Sequence, residues 1–242
     1  MMKLALVQTL IYLFLTSAFQ TDNYKTALKL NTGKQFEASN RLCTSELEKL
    51  DIKDNRYTEF LALRADNYRE LKDFEAGISD YQKLIRIHPN GTRYYLGLGY
   101  LYGESKEYSK CLAVLRDAIN INHKDVYVLN NLSYYSNQAG NFKAGISYAD
   151  QGLSHVSEPI WKAALLNNRG YGNLYLNNYN LALKDINEAI KLDPNNSFAY
   201  AYRAIANVML KNFETVCTDL QKAKSLGAVQ LTDGLIRQYC KN

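Results

Sequence analysis

At 242 residues, 47% hydrophobic and 22% charged, the chain has the make-up of a folded protein of one large or two small domains, which sets disorder aside. Its formal net charge of +5 comes from 29 basic and 24 acidic side chains, scattered without any block of five or six like charges. That scatter leaves nucleic-acid binding without support.

The first segment is MMKLALVQTLIYLFLTSAFQ, in which Lys3 supplies a positive start. An apolar run from Leu4 to Leu15 follows, broken only by Gln8 and Thr9, and Thr16-Ser17-Ala18 offers small residues for cleavage. Residues 1–18 therefore read as a secretory signal peptide and the protein as exported, periplasmic or secreted. The alternative is an uncleaved anchor, since a run of this length is marginal for ~30 Å of hydrocarbon. No other stretch approaches the ~20 apolar residues of a spanning helix, so no membrane insertion is expected after cleavage.

Residues 19–57 read as a divergent helical unit, in which GKQFEAS carries a turn and Phe36 opens a helix. From Thr58 the pattern becomes periodic. Units starting at Thr58, Thr92, Val126, Ala163 and Ser197 are spaced 34, 34, 37 and 34 residues apart and divide the chain into 58–91, 92–125, 126–162, 163–196 and 197–230. Position 17 is always aromatic (Phe74, Tyr108, Phe142, Tyr179, Phe213) and is expected to open the second helix of each unit. Position 8 is small (Ala65, Gly99, Ser133, Gly170, Ala204), as helices crossing at ~8–10 Å require. Large residues at position 4 (Leu61, Tyr95, Leu129, Leu166, Tyr200) fill the complementary space.

Within units the apolar spacing is helical, as in Leu183, Ile186, Ala189 and Ile190, and Gly140-Asn141 or Asn177-Asn178 break the helices. Each unit is thus a helical hairpin, and Pro89 and Pro194 end second helices. The three extra residues of the third unit, around Ser157 to Trp161, predict a lengthened loop. Position 7 is Arg64, Arg169 and Arg203 in the three units whose position 23 is Asp80, Asp185 and Asp219; elsewhere Leu98 goes with Val114 and Leu132 with Tyr148. Arginine and aspartate occurring together predict an ion pair between the two helices of those units. Residues 231–242 read as a capping helix over the last open face.

The segment NNRGYGNLYLNNYNLALKDINEAIKLDPNN closely resembles the tetratricopeptide repeat, and the resemblance extends over residues 58 to 230. It implies an all-α, right-handed solenoid of antiparallel helix-turn-helix repeats with a C-terminal capping helix. In this family a protein or peptide partner usually binds the concave face of the first helices, at positions 2, 5, 9, 12 and 13. Transferred here, the candidates are Tyr100, Tyr127, Asn130, Tyr134, Asn137, Gln138, Asn167, Tyr171 and Tyr175. The alternative for any one tyrosine is packing between adjacent first helices. Further along the same face Phe198, Ile205, Val208 and Met209 make either a second contact patch or a surface buried by the cap. Ninth positions occupied by Asp66, Tyr100, Tyr134, Tyr171 and Ile205 lack the basic clamp with which some members hold a C-terminal carboxylate.

The stretch ETVCTDLQKAKSLGAVQLTDGLIRQYC also resembles the ends of exported repeat proteins of Bacteroidetes-type bacteria, which often place two cysteines this way. The resemblance and the adjacency of the last helices make Cys217 and Cys240 the candidate disulfide. Cys111 reads as a buried thiol, and Cys43 lies more than one repeat away from it. His88, His123 and His155 all fall where second helices end, which suits the helix dipole better than a metal. There is no HExxH, CxxC, nucleophile elbow or phosphate loop, so no enzyme activity, cofactor or metal is expected. The expectation is an exported adaptor binding protein partners; the alternative is a glycan or small-ligand binder using the tyrosine- and asparagine-rich face.

Overall fold

The computed structural model describes residues 23–240 and is all helical, with no strand among the described residues. The signal peptide read over 1–18 lies outside them, as do the last two residues of the expected cap. The chain divides into two compact units, 1–105 and 106–242, and the division falls in the turn inside the second periodic repeat.

The first unit contains α1 (23–32), α2 (Phe36–Leu47), α3 (Asn55–Glu70), α4 (Phe74–Ile87) and α5 (Thr92–Glu104). Its N-terminal core gathers Ala27, Cys43, Phe60 and Leu63, with the Tyr24 ring edge-on to Phe60 at 5.3 Å. Polar side chains tie the same helices: Ser39 donates to the Ala27 carbonyl at 2.9 Å and accepts from Asn67 at 2.8 Å, while Asn31 donates to Asn67 Oδ1 at 2.7 Å. Residues 23–47 thus form a hairpin docked on α3, and burying these amides costs little because each is paired.

The second unit contains α6 (Tyr108–Ile121), α7 (Val126–Gln138), α8 (Phe142–Leu153), α9 (Pro159–Tyr175), α10 (Tyr179–Leu192), α11 (Ser197–Met209), α12 (Val216–Ser225) and α13 (Val229–Tyr239). Leu174, Ala182, Ile186, Ala199 and Ala206 form one core between α9, α10 and α11. Ala204, Val216 and Leu220 form another, covered by Leu235, Ile236 and Tyr239 of α13. Side-chain caps fix two of these helix starts: Asp125 accepts from the backbone N–H groups of Tyr127 and Val128, and Asn196 from that of Ala199.

Three expectations need correction. The extra residues of the third repeat lengthen α9 more than the loop. Pro159, favoured in a first helical turn because its missing N–H has no partner there anyway, starts the helix four residues ahead of Ala163. The connecting loop, 154–158, is only one residue longer than 122–125 or 193–196. Secondly, Phe213 does not open a helix: α12 begins at Val216, and the Phe213 ring instead stacks on Tyr239 of α13 at 6.1 Å. Thirdly, the turns inside the hairpins depend on more than glycine and asparagine. Lys34, Lys72, Lys106, Gly140, Asn177 and Lys211 all adopt the left-handed conformation two residues before the aromatic position, at φ between 59° and 78°.

The arginine pairs are bidentate and reach further than one repeat. Arg64 donates to both carboxylate oxygens of Asp80 at 2.8 Å and to Thr44 Oγ1 at 3.0 Å. Arg169 donates to Asp185 at 2.6 and 2.8 Å and to Asp150 at 2.7 Å. Arg203 repeats the pattern with Asp219 and with Asn187 Oδ1. Burial alone would lower the Arg64 pKa, but Asp80 more than compensates and raises it; for Arg169 and Arg203 the hydrogen-bonded aspartates dominate and also raise it. Each guanidinium therefore joins the second helices of two successive hairpins.

Candidate functional site

In the second unit the first helices of successive hairpins, α7, α9 and α11, line a groove of about 700 Å³, and the segment 227–231 at the start of α13 forms one of its walls. Of the nine candidates, Tyr134, Asn137, Gln138, Asn167, Tyr171 and Tyr175 line it. Tyr134 is 43% and Tyr175 54% exposed, so both present ring surface to solvent. Tyr171 lies lower, in ring contact with Tyr175 at 4.6 Å and Tyr202 at 4.8 Å, while Tyr175 stacks on Phe142 at 4.9 Å.

The other three candidates stand elsewhere. Asn130 accepts from Asn168 Nδ2 at 3.0 Å and so ties α7 to α9 instead of lining the groove. Tyr127 is edge-on to Trp161 at 4.7 Å, outside the lining. Tyr100 belongs to the first unit, where the Arg69 guanidinium lies 5.2 Å from its ring centre. Asn137 lines the groove but is 3% exposed, and its Nδ2 donates to the Asn168 carbonyl at 2.8 Å. Its Oδ1 has no donor and lies in a niche cleared by two glycines. A Cβ on Gly145 would stand 2.2 Å from that oxygen and one on Gly172 3.1 Å. Asn167 likewise has a buried Oδ1 with no donor.

Of the apolar residues toward the C-terminus, Phe198 and Ile205 line the groove. Val208 packs under α13 with Leu235 and Ile236, whereas Met209 stays 52% exposed. Cys217 and Cys240 are disulfide-bonded with Cα atoms 5.4 Å apart, which clamps the end of α13 to α12. Cys43 and Cys111 are buried free thiols, and burial pushes them up to about 11 and about 12 respectively, so neither is a nucleophile near neutral pH.

No Asp, Glu, Lys, Arg or His lines the groove. Two of its phenols are held neutral: burial, then hydrogen bonding to Tyr175, raises Tyr171, and burial raises Tyr202. Such a surface can stack, bury apolar area and exchange hydrogen bonds, but it holds no ionised group to move a proton. Among the described residues no cluster of His, Cys, Asp and Glu could hold a metal ion.

Sequence reasoning missed Asn168, Tyr202 and the 227–231 wall. Asn168 and Tyr202 both occupy position 6 of their repeats. Positions 2, 6, 9 and 13 are spaced by four, three and four residues, so one helical stripe contains them all. That spacing was the available signal.

The family pattern described as "Tetratricopeptide repeat" matches residues 58–90, 92–125 and 163–196. In an alignment 178 positions long that covers 61% of this chain, it is 22% identical to "Stress-induced-phosphoprotein 1" of Caenorhabditis elegans, of which it spans only 56%. A tetratricopeptide repeat protein from Parabacteroides merdae shares the fold at a TM-score of 0.67 and 18% identity, over 91% of this chain and 82% of that one. YrrB, described as a TPR protein with an unusual peptide-binding site, aligns at a TM-score of 0.57 and 14% identity, over 81% of this chain and 97% of that one. The three matched segments are thus tetratricopeptide repeats, carried in a chain that shares the helical fold of these solved repeat proteins.

Proposed function

We propose that the protein is an adaptor that holds a protein or peptide partner in the groove of α7, α9 and α11 and performs no catalysis. The observation that carries this reading is the lining: tyrosines and amides with no ionised side chain suit an extended, uncharged stretch of peptide. Tyrosine gives large contact area at small entropy cost, and the Gln138 amide both donates and accepts, as peptide backbone requires. The fold is of the kind typical of protein–protein interaction, and YrrB's description associates a peptide site with it. From residues 1–18 we infer action outside the cytoplasm, in the periplasm or after secretion.

The test is a crosslinked pull-down from the native envelope with wild type and a Tyr134→Ala/Asn167→Ala/Tyr175→Ala variant, after circular dichroism shows both folded. Proteins recovered by wild type and lost by the variant support the adaptor; equal recovery moves the site elsewhere. A glycan reading is favoured by one observation, the exposed rings of Tyr134 and Tyr175 beside amides, which suit sugar rings and hydroxyls. An oligosaccharide at a hundred times its dissociation constant would stabilise the protein by about 2.7 kcal/mol, so a flat melting response across envelope glycans removes that reading.

A further inference from the structure

In the first unit a second hollow, of about 470 Å³, is walled by the loop before α3, the first turn of α3 and the last turn of α4. Ile52, Ile87 and Thr58 give it apolar surface, and Lys53, Lys83 and Arg86 line it. One carboxylate, Asp54, also lines it. Both oxygens of Asp54 are engaged by the Arg56 guanidinium, and Oδ1 also accepts the Arg56 backbone N–H at 2.9 Å. No carboxylate among the described residues pairs with Lys53, Lys83 or Arg86; the Lys83 ammonium lies 5.0 Å from the centre of the Tyr57 ring. His88 is tied to Thr58 at 2.8 Å and closes the back of the hollow.

A solvated basic face is the ordinary explanation for such residues, and the C-terminal dipole of α4 accounts for Arg86 in its last turn. It does not account for Lys53, which stands just before the N-terminus of α3, where the backbone is already positive and a cation is unfavourable. Three cations converging on one concavity raise its potential further, because a hollow with apolar walls focuses the field. An occupant that relieves this must bring more than one negative charge, since a single anion leaves two cations unmatched. It must also bring an apolar group for Ile52, which is 46% exposed, and for Ile87 beside it.

We propose that this hollow binds an acidic segment of a protein partner, with carboxylates at Lys53, Lys83 and Arg86 and an apolar side chain on Ile52 and Ile87. The site uses different residues from the tyrosine groove and opposite chemistry, and it does not depend on the groove reading.

The probe is a fluorescein-labelled hexapeptide alternating aspartate and leucine, titrated against the full chain by anisotropy at low and high salt. Wild type is expected to bind it, with affinity falling as salt rises. Lys53→Glu/Lys83→Glu/Arg86→Glu, checked for folding by circular dichroism, is expected to weaken binding at least tenfold, and Ile52→Ser about threefold. A Tyr134→Ala/Asn167→Ala groove variant keeps full affinity. Unchanged binding by the charge-reversed protein, or no binding to wild type at millimolar peptide, overturns the proposal. If an all-aspartate hexapeptide or inorganic pyrophosphate binds as tightly, the hollow is a simple anion site and the peptide assignment fails.

Discussion

Two neighbouring hairpins of the second unit, α7–α8 and α9–α10, occupy equivalent positions in the repeat and solve the same packing problem differently. At positions 7 and 23 the first has Leu132 and Tyr148, and the second has the Arg169–Asp185 pair. At positions 12 and 20 the first has Asn137 and Gly145, and the second Leu174 and Ala182. At position 15, the left-handed turn, the first has Gly140 and the second Asn177. The residues change in coupled pairs: an arginine needs its aspartate, and an asparagine beside the groove needs a glycine facing it. The repeat therefore constrains pairs more tightly than single positions.

The ion pair provides the largest test. Arg169→Leu alone leaves the Asp185 carboxylate, 6% exposed at its side chain, without its partner and should cost about 2–4 kcal/mol in urea denaturation. Adding Asp185→Val, which makes the hairpin resemble those that lack the pair, should bring stability back to within about 1 kcal/mol of wild type. If the double variant is no better than the single one, the coupling is wrong and Asp150, the other partner of Arg169, carries the stabilisation.

The amide–glycine pair comes next. Gly145→Ala places a methyl against Asn137 Oδ1 and should cost about 1–3 kcal/mol through overpacking. Gly145→Ala combined with Asn137→Leu, which copies α9–α10, should recover part of that loss. A neutral Gly145→Ala would show that Asn137 moves freely, and the niche would then not be the reason for the glycine. The turn gives the smallest effect. Asn177→Gly should stabilise by a few tenths to about 1 kcal/mol, and Gly140→Ala should destabilise by about 1 kcal/mol, both read from thermal melts. Equal and opposite shifts at both turns would sharpen the comparison to backbone conformation alone.

Much of this was legible in the sequence because it was periodic. Arg64, Arg169 and Arg203 could be matched to Asp80, Asp185 and Asp219 since both members recur in register. Their third partners, Thr44, Asp150 and Asn187, were not recognised because they belong to the preceding repeat and share only the ability to accept a hydrogen bond. The left-handed lysines were hidden because lysine carries no turn signal; the surrounding hairpin imposes the conformation against local preference. Position 6 was passed over for the groove, so Asn168 of α9 and Tyr202 of α11 were left out, and on α7 Asn130 was taken in, whose side chain is bonded to Asn168 instead. The end wall of the groove was missed because residues 227–231 close the last repeat and lead into α13, which has no counterpart in the earlier repeats.

The short last helix carries more than its own packing. Its final turn is fastened to α12 through sulfur, and about 16 Å away its first turn is the wall against which an occupant of the groove would rest. A crosslink closing a loop of this length contributes about 3 kcal/mol, chiefly by restricting the unfolded chain. In a chain whose thiols stay reduced, α13 would be held without that bond, by the packing of Leu235, Ile236 and Tyr239. The oxidation state of Cys217 and Cys240 thus bears on how firmly one wall of the groove is held.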